Sequence, residues 1–309
     1  MPEIDLPGEL LPGDLRAPAG ADNPADAGAR HGRGREAFSR FRANRPAIVG
    51  AAVIALAALM SLAAPWLAPY DPNAADPALR LAGIGTHGHW LGLDAQGRDI
   101  LSRIVWGGRS SLAIVVSSVL AACVASLGLG LYAGFSRGPA AAVLMRVVDM
   151  LFAFPMILLA INLATVFGAG RFTAGVTVLL SALPYLTRVV YAGVRAERDR
   201  EYVEAARALG ASPAAIVLRE ILPNVLTPLV VYGTTLCGGM IVYLAGLSFL
   251  GLGVQPPTPD WGRMVSEGAQ VMLLGSAHVA TIPALAIVAL SLAFNWLGDG
   301  LRDALDPRG

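Results

Sequence analysis

The sequence predicts an all-α membrane protein built from six transmembrane helices. Two totals point that way: 55% of the 309 residues are hydrophobic and only 15% are charged. The pattern fixes the number, because apolar stretches fall at 46–67, 111–135, 141–168, 173–194, 225–253 and 280–297. Each has about 20 residues or more, which at about 1.5 Å per residue crosses a hydrocarbon core of about 30 Å.

Taken in order, residues 1–29 are rich in Pro, Gly, Ala and Asp and have little to bury. A basic run follows (Arg30, Arg33, Arg35, Arg40, Arg42, Arg45). The reading is a disordered acidic, then Arg-rich, cytoplasmic tail over 1–37 and a six-helix domain over 38–309. The first span starts far from the N-terminus and is longer than a signal-peptide core, so it reads as a retained anchor. Arg137, Arg146, the 188–220 segment, Arg302 and Arg308 share one side with the basic run if the helices alternate. The positive-inside rule makes that side cytoplasmic, with both termini inside. The first outer loop is the exception, carrying Arg80, Arg98, Arg103 and Arg109 among Asp71, Asp76, Asp94 and Asp99.

Two outer segments carry patterns of their own. In RDILSRIVWGG (98–108), Ile100, Leu101, Ile104 and Val105 share a helical face opposite Arg98, Asp99 and Arg103, which suggests a short helix on the membrane surface. VQPPTPDWGRMVSEGAQVMLL (254–274) opens on a Pro-rich turn and continues as a second amphipathic piece. Both read either as interfacial packing or as a docking surface for an outside partner.

Between the fourth and fifth spans lies EYVEAARALGASPAAIVLREILPN (201–224). Ten charges fall within 195–220. At about 2.5–3.5 kcal/mol per mid-membrane charge, burying them in lipid would cost on the order of 25–35 kcal/mol, so the segment stays in water or against protein. Tyr202, Val203, Ala206 and Leu209 share one face, and Glu204 and Arg207 are neighbours on another. Gly210 is a helix stop, Ser212 and Pro213 are an N-cap and first-turn proline, and Pro223 breaks or kinks the second helix as it nears the membrane. The segment reads as a solvated hairpin or as a rigid lever presented to a soluble partner, and the caps and stops favour the lever.

Several chemistries are excluded or poorly supported. All 23 basic residues are Arg, so no P-loop, Schiff-base or kinase-type lysine exists. A net charge of +1 offers no field for nucleic acid. Cys123 and Cys237 sit in apolar stretches as packing thiols. His31, His87, His89 and His278 are scattered, and His87 with His89 makes a poor metal site, so no metal and no catalytic residue is assigned. Within the spans, Asp149 is expected to pair with Arg146. Asn162, Ser181, Tyr185, Thr234 and Met240 are candidates to line a pathway, against the plainer reading as helix–helix contacts. An ion-coupled secondary transporter would want an acid or His at mid-depth, and none is evident. A non-transporting scaffold would tolerate substitution throughout the patterned segments.

EAARALG with ILPN resembles the EAA motif of ABC-importer permeases, matched at Glu204, Ala205, Ala206, Gly210, Leu222 and Pro223, with Glu220 where the motif often has Ile. HWLGLDAQGRDILSRIVWGGRSSL (89–112), LSFLGLGVQPPTPDWGRM (247–264) and NWLGDGLRDALDPR (295–308) resemble the C-type permease of the dipeptide/oligopeptide/nickel branch. An acid often found upstream of LSFLGLG is missing here. The resemblance covers about 38–309. It implies a type I importer permease fold in a bacterial inner membrane, and peptide import by alternating access, with nickel or glutathione-like substrates as alternatives. It implies a B-type sister permease, two ATPase subunits holding ATP and Mg, and an extracytoplasmic binding protein. It also implies that 195–224 carries the coupling helix, with Glu204, Ala205, Ala206, Arg207, Leu209, Gly210, Ala211, Leu222 and Pro223 as the ATPase-coupling residues.

Overall fold

The computed structural model describes residues 39–305, so the tail expected over 1–37 lies outside the described residues. Asn44 opens α1 (Arg45–Leu62): its side-chain oxygen accepts from the Ala47 N–H, and its amide donates to Asp303 at 3.0 Å, tying the first span to the last. A short turn, α2 (Ala64–Leu67), and an irregular loop lead to α3 (Ile100–Phe135). Then come α4 (Pro139–Ala153), α5 (Met156–Phe167), α6 (Arg171–Arg198), α7 (Glu201–Ala208), α8 (Pro213–Phe249), α9 (Trp261–Ala269) and α10 (His278–Leu305). Among the described residues there is no β-strand, only isolated bridges at Thr86–His89 and Leu93–Asp99.

Five helices, α1, α3, α6, α8 and α10, are each long and apolar enough to cross a membrane. The stretch expected as the third span is instead two helices, α4 and α5, bent by 94° across a short break; counted as one span, the pair brings the total to six. Pro155 explains the break. The residue before a proline is pushed out of the helical region, and Phe154 sits at φ −78° and ψ 128°. At Pro155 the chain therefore makes a full stop and restart and not a kink within one helix.

Helices α3 and α6 form the most extensive packing in the bundle, and a close one. A Cβ added at Gly130 would lie 2.5 Å from the Val190 Cβ, and one at Gly134 would lie 2.7 Å from the Val194 Cβ. Small residues let the backbones approach, which is how helices associate where lipid removes the hydrophobic drive. Polar groups then join across the seam: the Thr187 hydroxyl donates to the Ser126 Oγ at 3.0 Å, and the Ser126 hydroxyl donates to the Leu183 carbonyl at 3.1 Å. Gly130→Leu should therefore cost about 3 kcal/mol or more, since the blocking atom is beside backbone and cannot yield. The check is chemical unfolding of the purified chain, where a midpoint equal to wild type would refute this packing account.

The segments read from the sequence as outer loops correct the expectation of a helix lying on the membrane surface. Residues 100–108 are the opening turns of α3, continuous with the span. Their charged face is turned inward, and the Arg103 side chain is only 2% exposed. Arg98 contacts Asp94 at 2.7 Å and Glu267 at 2.6 Å, Arg103 reaches the same two carboxylates at 3.4 and 3.7 Å, and Arg263 contacts Glu267 at 2.9 Å. Asp99 caps α3 by accepting from the Ser102 N–H at 2.7 Å and meets the His89 Nδ1 at 2.9 Å. The second segment is the expected amphipathic helix, α9, capped by Asp260 and stapled to α3 by the Trp261 indole N–H donating to the Ile104 carbonyl at 2.8 Å. Burial pushes the Asp260 carboxyl up even as it caps. The two outer segments thus lock onto each other through a charged knot.

Candidate functional site

The segment 195–224 folds as a stiff elbow at the end of the bundle where α6 finishes. Val203, fully buried, anchors α7 among Ile216, Ile221 and Val225 at the root of α8. The helix stops as expected: Gly210 has φ +84°, the Gly210 N–H donates to the Arg207 carbonyl, and the Ala211 N–H donates to the Ala206 carbonyl, both at 3.0 Å. That paired pattern is a Schellman motif, and its left-handed position suits glycine. Ser212 then caps α8 by accepting from the Ala215 N–H at 3.3 Å, with Pro213 in the first turn.

Of the two outcomes expected at Pro223, a break is not seen. The chain stays helical from Pro213 to Phe249 and passes through a π-helical turn over Ile216–Ile221. The wider turn lets the Leu222 N–H reach the Val217 carbonyl, and the Asn224 side-chain amide donates to the Glu220 carbonyl at 3.1 Å, so the groups near the proline find other partners.

Two side-chain staples hold the elbow's base, and neither was foreseen from the sequence. Arg198 is buried at the end of α6 and donates to the Gly134 carbonyl of α3 at 3.0 Å. It also pairs with Asp199 at 3.1 Å, while Arg137 reaches the same carboxylate at 2.9 Å. Arg198, aided by Arg137, holds the Asp199 carboxyl below its ordinary range. In the second staple the Tyr202 hydroxyl donates to the Glu197 carboxylate at 2.6 Å and accepts from the Asn224 amide at 3.2 Å. Burial, then Glu197, pushes the Tyr202 phenol up. The Gly134, Arg137 and Asn224 contacts come from residues distant in sequence, whereas Arg198–Asp199 and Glu197–Tyr202 are local pairs.

What remains exposed is a compact face. Glu201, Glu204, Ala205 and Ala208 form one helical stripe open to solvent. Leu209, expected to share a face with the buried Val203, stands 85% exposed at the tip. It is the helix C-cap, where the helical periodicity that put it with Val203 has already ended. Arg207 turns aside, its guanidinium 5.7 Å from the centre of the Phe135 ring at the end of α3. Leu222 is half-buried and Pro223 exposed.

The pathway candidates are not gathered in one place. Ser181 and Tyr185 line a small recess beside the α4–α5 break together with Phe154 and Met156. There the Tyr185 ring packs on Phe152 at 4.7 Å, and the Tyr243 hydroxyl donates to the Met156 carbonyl at 2.7 Å. Thr234 lies on a separate apolar groove between α3, α8 and α10, Met240 is buried in the core, and Asn162 donates to the Leu158 carbonyl on its own helix. Asp149 pairs with Arg188 of α6 at 2.7 Å and not with Arg146, because α4 packs against α6 and presents that face to it. At the opposite end from the elbow, a cavity of about 820 Å³ opens among Tyr70, Asp71, Trp106, Arg109, Arg171 and Pro257.

Comparison with known proteins agrees with this architecture. A family profile described as the binding-protein-dependent transport system inner membrane component matches residues 126–308, and one for the N-terminal TM domain of oligopeptide transport permease C matches 32–83. The chain is 42% identical over 274 residues to the glutathione transport system permease protein GsiD of Pectobacterium atrosepticum, covering 89% of this chain and 91% of that one. The protein of the same name from Escherichia coli O157:H7 is 42% identical over 273 residues, covering 88% and 90%. Among solved structures, the inward-facing MetNI methionine ABC transporter superposes with a TM-score of 0.55 at 24% identity, covering 66% of this chain and 97% of the matched chain. The chain therefore belongs to the binding-protein-dependent transport system inner membrane components, as an ABC-importer permease of the peptide, oligopeptide and nickel branch.

Proposed function

We propose that this permease forms one half of a pore that imports short peptides, and that glutathione is the first substrate to test. Such a permease is a transport subunit and not an enzyme, since ATP hydrolysis in ABC transporters occurs on partner ATPases. The observation that carries the reading is the elbow of α7, Gly210 and Ser212. It is stapled at its base to α3, α6 and α8 and leaves a small-residue stripe and Leu209 free for a partner. Closure of two ATPases on ATP would push α7, and the rigid root would pass that push to α6 and α8, shifting the population between inward-open and outward-open states. In this reading α7 and both termini are cytoplasmic, and 195–224 is the coupling segment within a domain spanning 38–309. A B-type sister permease supplies the other wall, and a binding protein delivers substrate at the opposite end. The scattered pathway candidates fit a route whose lining two chains share, with Ser181 and Tyr185 beside the helix break as this chain's best contribution. The glutathione permeases at 42% identity direct the choice of first substrate.

The test is uptake of labelled glutathione, a dipeptide and a nickel chelate into proteoliposomes holding the complete transporter and its binding protein. Uptake of the peptides that needs enclosed ATP is expected. Uptake that ignores ATP and follows a proton gradient would overturn the reading in favour of secondary transport, and exclusive nickel uptake would overturn the substrate class.

A further inference from the structure

We propose that the recess between the ends of α3, α4 and α6 is a binding site for the headgroup of an anionic phospholipid. The recess has a volume of about 430 Å³ and lies at the elbow end of the bundle. Its polar wall is Arg137, Tyr191, Arg195 and Arg198; its other wall is apolar, with Ala141 and Met145 of α4. Three guanidinium groups here lie beside a single carboxylate, Asp199, which pairs with Arg137 and Arg198. Three positive charges against one negative leave an excess of two.

The three arginines are not equivalent. Arg198 is buried and spent on Asp199 and on the Gly134 carbonyl, so it is structural. Arg137 keeps one contact and is 74% exposed. Arg195 is exposed, and no carboxylate contacts it; its partner is the Tyr191 hydroxyl at 3.0 Å, with the guanidinium 5.8 Å from the centre of the same ring. That hydrogen bond and ring fix where Arg195 points while leaving its other N–H donors free for an anion.

The setting selects lipid over a soluble anion. The site is where membrane-crossing helices leave the apolar zone, and basic pockets between such helices hold anionic headgroups. The apolar α4 wall lies where acyl chains would continue from a bound phosphate. With the orientation proposed above, the headgroup belongs to the inner leaflet, next to the staple at the base of the elbow. The binding itself does not depend on that orientation.

The full-length chain purified in detergent would be titrated with phosphatidylglycerol, cardiolipin or phosphatidylcholine, and bound lipid counted by native mass spectrometry. Phosphatidylglycerol and cardiolipin should be retained over phosphatidylcholine, and Arg195→Ala should reduce that retention about fivefold. Arg109→Ala, which removes a charge at the opposite end, should leave it unchanged. Equal retention of all three lipids, or equal losses in the two variants, would overturn the proposal. So would displacement of the lipid by millimolar inorganic phosphate, which would make the site one for free anions.

Discussion

Gly210→Val is expected to leave the chain inserted and folded while ATP-driven uptake falls to background. A Cβ at residue 210 meets nothing within 4 Å, so the substitution clashes with no neighbour. Its effect is confined to the backbone, because φ +84° is strained for a β-branched residue by about 1–3 kcal/mol. The strain is relieved by rotating φ, which undoes the paired Schellman bonds and frees α7 from its fixed angle to α8. On the mechanism proposed above, a loosened α7 would still touch an ATPase but would not carry displacement into the spans. Gly210→Asn separates this from a general defect, since asparagine tolerates the left-handed region and should retain most uptake. Uptake and ATPase activity would be measured together in proteoliposomes. Hydrolysis persisting without uptake is the expected signature, and normal uptake by Gly210→Val would remove the elbow from the mechanism.

Glu267→Gln should be the most damaging change on the opposite face. Arg98, Arg103 and Arg263 all meet Glu267; without it Arg98 and Arg103 share Asp94 alone and Arg263 loses its ion pair. Breaking a buried ion pair from one side costs about 3–5 kcal/mol. Glu267 is 19% exposed, which places the expected loss near the lower end, at about 3 kcal/mol. The outer loop would then part from α9 before the bundle unfolds, which limited proteolysis within residues 80–98 would detect. Adding Arg263→Gln removes one of the stranded charges and should restore part of the stability. No recovery in the double variant would show that charge balance is not what holds the knot.

The sequence carried the helical elements well and their orientation about the axis less well. Gly210, Ser212 and Pro213 were legible because a stop, a cap and a first-turn proline act within a few residues. The apolar stretches were legible because lipid demands length and composition, and α1, α3, α6, α8 and α10 satisfy both. What failed was the assumption that charge faces water. Arg103 and Asp99 were placed on a solvent face because they oppose an apolar one, yet both are buried, Arg103 against Asp94 and the distant Glu267, Asp99 against His89 and the Ser102 N–H. The Asp149 pairing failed likewise, since proximity on one helix favoured Arg146 while the packing of α4 on α6 supplied Arg188. The pathway residues stayed scattered: Ser181 and Tyr185 share one recess, while Thr234, Met240 and Asn162 lie on other parts of the bundle.

The abrupt turn between α4 and α5 bears on how the chain lives in a bilayer. A continuous helix satisfies its own peptide groups, but a break leaves the final carbonyls of one helix and the opening amides of the next without ladder partners. Acyl tails offer neither donors nor acceptors, and each orphaned group costs several kcal/mol in hydrocarbon. The surface around Phe154 and Pro155 is therefore one that lipid cannot complete. It has to be covered by water or by protein, and not by acyl tails, as the Tyr243 hydroxyl already does for the Met156 carbonyl.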